Sequence, residues 1–128
     1  MEKTAGEIML LDTNIFVDHL RNYTPSVEFF DTLENALFSA ITEAELLAGK
    51  QNESDEKREK LLHFLHRWTK IEVTNPISVL AGDISRKHGM DIPDAIIAAS
   101  ALINNAVLVT RNVKDFHDIK DLKLQVPY

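Results

Sequence analysis

Short apolar runs alternate with stretches of helical periodicity along this chain. Ile8 to Leu11 is a compact apolar run that stops abruptly at Asp12-Thr13-Asn14, which predicts a short buried strand. Ile15 to Leu20 then reads as helical. Thr24-Pro25 opens another helix, with proline at the first helical position and Val27, Phe30 and Leu33 on one face. Leu37 to Ala40 predicts a second strand, and Thr42 to Ala48 a short helix closed by Gly49. The most polar stretch, "KQNESDEKREK", predicts a loop running into a helix start. Leu61, Leu62, Leu65 and Trp68 follow at helical spacing, with Arg67 and Lys70 on the polar side. Ile71 to Thr74 predicts a third strand. Pro76 opens a helix in which Ile77, Leu80, Ala81 and Ile84 share one face, and Gly89 stops it. Pro93 opens a helix to about Asn104 that is apolar nearly all round, so it should be central and buried. Val107 to Val109 predicts a fourth strand and Leu122 to Val126 a fifth, at the edge. With no repeat, low-complexity tract or linker, residues 1–128 read as a single domain.

This alternation argues for an α/β fold, a parallel sheet covered by helices on both faces. In open α/β sheets, ligands bind outside the carboxyl ends of the strands. Asp12 lies at such an end, so its carboxylate belongs at the rim of the core.

Composition narrows the picture only in places. The chain has 128 residues, 45% hydrophobic and 27% charged, enough for one real core. It has no Cys, which excludes disulfides and thiolate zinc sites. The longest apolar stretch, Ala95 to Ile103, is about half of the roughly 20 residues a membrane span needs. The opening "MEKTAGE" lacks the apolar region of a signal peptide, so a cytoplasmic protein is expected. Lys and Arg total 14 against 20 Asp and Glu, a net charge of −6. That balance offers nucleic acid no global attraction, though a local basic patch or a bound cation could.

Three further acids share the setting of Asp12. Glu45 lies in the helix just past the second strand, Asp94 opens the buried helix, and Asp115 follows the fourth strand. All fall near one edge of the predicted sheet. Carboxylates gathered there repel one another, and a hard divalent cation resolves the repulsion. Each acid also has a plainer reading. Asp12 could cap the first helix. Thr42 and Glu45 spell a capping box. Asp94 would favour a helix macrodipole, and Asp91 reads as a cap. Asp115 alone would be a solvated loop acid. The set as a whole favours chemistry.

Taken together, these fragments resemble the motifs of PIN-domain ribonucleases, and among them the VapC-like toxins of toxin–antitoxin pairs. "LLDTNIFVD" is similar to the family's opening strand and its Asp. "SAITEAELLAG" is similar to the segment carrying its Glu, aligned on Glu45 by the pattern T-x-x-E-L before a Gly. "IPDAIIAASAL" resembles the third acidic motif and "LVTRNVKDF" the last. The resemblance runs from Met9 to about Pro127. It implies a PIN-like three-layer sandwich with a central parallel sheet of about five strands and helices on both faces.

The same resemblance implies an endoribonuclease with one or two Mg²⁺ or Mn²⁺ ions. The family's acids carry over to Asp12, Glu45, Asp94 and Asp115. Asp12 and Asp94 would be the main metal ligands, while Glu45 and Asp115 would hold waters or a second ion. Asn14, Thr110 and Asn112 would support the pocket. Many relatives carry Asp where this chain has Asn112, so the fourth acidic role falls on Asp115. Hydrolysis would be metal-assisted, with water attacking the phosphodiester in line. Arg111 and Lys114 flank the last motif and could contact RNA phosphates.

Lys57, Arg58, Lys60, Arg67 and Lys70 form a second basic cluster on a predicted helix face, with Glu53, Asp55, Glu56 and Glu59 to offset it. His63 and His66 read as surface histidines rather than a metal pair. A VapC-like chain implies a cognate antitoxin that places an Arg in the acidic pocket, where a guanidinium can neutralise the carboxylates. Its apolar seat is expected on the helices around Ile15 to Phe30 and Leu61 to Trp68. Many members also form homodimers through helical faces.

Other classes fit less well. A receiver-like signalling domain wants an acidic pair after its first strand, a phospho-accepting Asp after its third and a Lys after its fifth. None of these is in place. A phosphatase with a D-x-D pair is disfavoured by "DTN". A catalytically silent PIN domain that only binds a partner remains open at this level.

Overall fold

The computed structural model of the chain describes residues 7–128, so all but the last residue of the opening "MEKTAGE" lies outside the described residues. The elements run β1 (Met9–Leu11), α1 (Thr13–Leu20), α2 (Thr24–Thr32), β2 (Leu37–Ser39), α3 (Ala40–Leu47), α4 (Asp55–Leu65), β3 (Thr69–Ile71), α5 (Asn75–His88), α6 (Ile92–Ile103), β4 (Val107–Val109), α7 (Val113–Phe116) and β5 (Leu124–Gln125). A 3-10 turn over Lys50–Glu53 precedes α4. The five strands form one parallel sheet in the order β3-β2-β1-β4-β5.

Successive strand residues face opposite sides of the sheet, and both sides are covered. Met9, Leu11 and Val109 join Phe16, Phe30, Phe38 and Trp68 in one core. Leu10 and Leu108 join Ile77, Ile84, Ile97 and a group of alanines in the other. This two-sided burial explains why the central strands are continuous apolar runs rather than alternating ones.

Helix boundaries follow local chemistry. Thr74 caps α5, accepting from the Ile77 N–H at 3.5 Å. At the other end Gly89, at φ 63°, takes the left-handed conformation that ends the helix without a Cβ penalty. Buried α6 places Asp94 in its first turn.

The structure corrects several expectations. The third strand is Thr69–Ile71, not Ile71–Thr74. Thr69 and Lys70 are exposed on this edge strand, so no apolar pattern marks it, and pairing to β2 sets its position (Leu37 opposite Thr69). The fifth strand is only Leu124–Gln125. Helix α3 starts earlier because Ser39 caps it, accepting from the Ile41 N–H at 3.1 Å, so the Thr42–Glu45 capping box is not formed. Ala48 ends that helix, and Gly49, with extended backbone at ψ 141°, opens the 3-10 turn instead. Helix α4 stops at Leu65, and Trp68 enters the core from the following turn.

Candidate active site

The strand order puts β1 beside β4, and this is where the sheet reverses its direction of growth, the crevice where α/β folds bind ligands. Leu11 is opposite Val109, and the Asp12 N–H continues the ladder to the Val109 carbonyl at 2.9 Å. The residues that follow the two strands therefore meet. Thr110 Oγ1 donates to Asp12 Oδ2 at 2.8 Å, and Asp12 Oδ1 accepts from the Thr13 N–H at 2.7 Å. Asp12 is thus both the N-cap of α1 and a buried carboxylate aimed by two donors. Thr110, fully buried, also accepts from the Asn112 N–H at 2.9 Å and from Asn14 Nδ2 at 3.5 Å.

Glu45 reaches the same place from α3. Thr13 Oγ1 donates to Glu45 Oε1 at 2.9 Å and itself lies 2.9 Å from the hydroxyl of buried Thr42. With the Thr13 proton directed at Glu45, Thr42 is the donor of that pair. Asp94 enters from the first turn of α6, and Asp115 from α7, where it is exposed.

The charges of these acids act on one another. Burial pushes Asp94 up from its ordinary 3.8 to about 6, with the charges of Asp12, Glu45, Asp115 and Asp91 adding to the rise. Asp12 is also raised, chiefly by burial, although the hydrogen bonds from Thr110 and Thr13 and the charge of Arg111 oppose the rise. Carboxylates held this way favour a proton or a cation.

The donor set fits a hard cation. All its atoms are oxygens, the preference of Mg²⁺ and Mn²⁺. Asn14 adds a further one: its Oδ1 is buried with no hydrogen-bond partner, while its Nδ2 is turned to Thr110. Such an orphaned acceptor is costly unless a ligand or water meets it. As the side chains stand, no three carboxylates or imidazoles among the described residues converge on a common ligation point.

The remaining sequence expectations divide. Asn112 caps α7 without a side-chain bond, and its backbone N–H is what supports Thr110. Asp91 occupies the N-cap of α6 but makes no cap bond. Arg111 approaches Asp18, its Nε 2.6 Å from Oδ2, and Lys114 is exposed. His63 and His66 are both exposed.

One expectation is corrected and another is narrowed. The second basic cluster is not one helix face. Only Lys57, Arg58 and Lys60 lie on α4, where Lys60 pairs with Glu56 at 3.1 Å. Arg67 lies past the helix with its guanidinium over Phe64 and Trp68, and Lys70 pairs with Glu43 from β3 at 3.2 Å. The apolar seat expected around Ile15 to Phe30 and Leu61 to Trp68 is narrower than those helices, which leave Val17, Leu20 and Phe64 on an accessible groove. Ile15, Phe16, Phe30, Leu61, Leu65 and Trp68 pack into the core because helical periodicity marks what is buried, not what is left open. What stays accessible is a groove of about 820 Å³ lined by Val17, Leu20, Leu46 and Phe64 with Lys57 and Lys60, and it meets the acid pocket at Glu45.

Sequence reasoning missed Thr13 and Thr42, which orient Glu45, and Asp18. The signal for Asp18 was present: it is a lone acid in an apolar helix, four residues from Asn14 and so on the same face.

Comparison with known proteins agrees with this geometry. A family model described as PIN domain matches residues 9–122. Ribonuclease VapC19 of Mycobacterium tuberculosis is 34% identical over 128 residues, covering 93% of this chain and 98% of the relative. A toxin–antitoxin complex from Klebsiella pneumoniae contains a chain that superposes with a TM-score of 0.78 at 27% identity, covering 94% of this chain and 98% of that one. VapBC2 from Rickettsia felis, bound to a DNA fragment from its promoter, gives a TM-score of 0.77 at 28% identity over 92% of this chain and 97% of that one.

Proposed function

This chain belongs to the PIN domain family, and we propose that it is a single-domain, cytoplasmic endoribonuclease, the toxin of a toxin–antitoxin pair, which hydrolyses RNA phosphodiester bonds with Mg²⁺ or Mn²⁺. Its relatives named as VapC ribonucleases and its likeness to VapBC complexes support the ribonuclease and the antitoxin partner. One observation carries the metal-dependent chemistry. Asp12 is aimed by Thr13 and Thr110, and Asp94 is pushed up to about 6, first by burial and then by the charges of Asp12, Glu45, Asp115 and Asp91.

Asp12 and Asp94 would hold the cation. Glu45, oriented by Thr13, and Asp115 would hold waters or a second ion, and the unpartnered Asn14 Oδ1 would be a further oxygen available beside them. The bound cation supplies Lewis-acid stabilisation of the phosphoryl oxygens and makes water easier to deprotonate. Water is the nucleophile, so no side chain becomes covalently attached. The antitoxin lays a segment in the groove beside Glu45, over Val17, Leu20, Leu46 and Phe64, and brings an arginine to the carboxylates.

The test is cleavage of a fluorescent single-stranded RNA by the antitoxin-free protein in Mn²⁺, in Mg²⁺ and in EDTA. Cleavage should require metal and fall by at least about a hundredfold in folded Asp12→Asn and Asp94→Asn chains. Activity that persists in EDTA or in both variants overturns the reading.

A further inference from the structure

An acidic pocket has difficulty with its own substrate, because RNA brings phosphates toward carboxylates. A cation at the pocket edge would ease that approach. A free arginine there, however, would collapse onto the acids and compete with the metal. Arg111 is in the position where this conflict arises. It directly follows Thr110, the residue bonded to Asp12, and its charge is felt at Asp12.

The structure holds Arg111 elsewhere. Asn14 and Asp18 lie four apart on α1, and Thr110 and Arg111 are consecutive after β4. The face of α1 that presents Asn14 to Thr110 thus presents Asp18 to Arg111, with Nε 2.6 Å from Oδ2. Asp18 is only 8% exposed, an expensive position for an acid without partners. Its second partner is Tyr128, whose hydroxyl donates to the same Oδ2 at 2.7 Å. Tyr128 is itself wedged between rings, with centroids 5.8 Å from Tyr23 and 6.0 Å from Phe29. Its hydroxyl is pushed up to about 12, first by burial, so it remains a donor. The Arg111 side chain keeps 43% exposure, against 12% for that of Asp18, so the charge is tethered but still accessible.

We propose that Asp18, braced by Tyr128, is a positioning residue that holds Arg111 at the edge of the acid pocket and out of it, where its guanidinium takes a backbone phosphate of the RNA next to the scissile bond. This rests on the ribonuclease reading above. It explains why a buried acid, an arginine and a tyrosine far apart in the chain converge beside a site that none of them completes.

The test is a mutant cycle on KM and kcat with single-stranded RNA, using Asp18→Asn, Arg111→Gln, the double variant and Tyr128→Phe, each confirmed folded by circular dichroism. Asp18→Asn and Arg111→Gln should each raise KM by about tenfold with kcat within about threefold, and Tyr128→Phe should raise it by about threefold. The double variant should be no worse than Arg111→Gln alone, because Asp18 acts through Arg111. Anisotropy of the labelled RNA in EDTA should show the same order in affinity. Unchanged KM in Arg111→Gln, or KM effects that add in the double variant, overturns the proposal. Absence of metal-dependent cleavage in the unmutated protein instead overturns the ribonuclease reading, and the binding cycle then still decides the role of Asp18.

Discussion

One face of the sheet is packed with rings and the other with small aliphatic side chains. On the α1–α2–α4 side, Phe30 sits among Phe16, Phe64 and Trp68 with centroids 5.2 to 5.6 Å apart, in the tilted and edge-to-face geometries aromatic rings prefer. On the α5–α6 side, Ala81, Ala95, Ala98, Ala99, Ala101 and Ala106 are buried with Ile77, Ile84 and Ile97. Large rings bury the most apolar area, so the first face contributes much of the stability. Small side chains let helix and sheet approach closely, so the second face sets position. Asp94 sits at the start of α6 and depends on that position, whereas α2 and α4 carry none of the pocket acids. The rings of α2 and α4 therefore serve stability without carrying a pocket acid, whereas the packing around α6 positions Asp94.

The largest expected effect falls on the aromatic side. Phe30→Ala should cost about 3–5 kcal/mol by chemical denaturation. Cleavage per folded molecule should change little, since α2 carries no site residue. If specific activity collapses while the chain stays folded, the two faces are not separable.

Overpacking the alanine side should do the reverse. Ala98→Leu should cost only about 1–3 kcal/mol, because the added atoms force a shift rather than leave a cavity. That shift moves α6 and with it Asp94, so RNA cleavage should drop well beyond what the lost stability explains.

The smallest effect isolates the charge at the pocket from the packing beneath it. Folding raises Asp94 from 3.8 to about 6, so the folded chain binds more protons than the unfolded chain between those values. Stability without metal should therefore be full below about pH 4, fall as pH climbs toward 6, and stay reduced above it. Asp94→Asn removes that loss. In EDTA it should stabilise the chain by about 1 kcal/mol near pH 7.5, discounted for the half-exposed carboxyl, and by nothing near pH 4. Equal stability of the two proteins at both pH values would mean that the acids do not strain the fold.

Much of this was legible in the chain itself. The buried strands β1 and β4, the buried helix α6 and the stop at Gly89 follow from apolar runs and glycine chemistry that act over a few residues. The carboxylates that end up around Asp94 were marked by their places just past apolar elements. The edge strand β3 was not legible in this way, because exposed Thr69 and Lys70 gain nothing from being apolar and pair only because β2 is beside them. The Thr42–Glu45 spelling left a capping box open as an alternative, and the structure closes it: Ser39 occupies the cap, and Glu45 accepts from Thr13 instead.

The sequence by itself determined the order of elements and which acids stand at strand and helix ends, since period, caps and breakers are local forces. Only the tertiary structure decided that β1 lies beside β4, so that Thr110 meets Asp12 from 98 residues away. It alone decided that Thr13 orients Glu45 across 32 residues and that Tyr128 braces Asp18 across 110. Such pairs are set by how two helical layers close on one sheet, and no local pattern encodes a partner that distant.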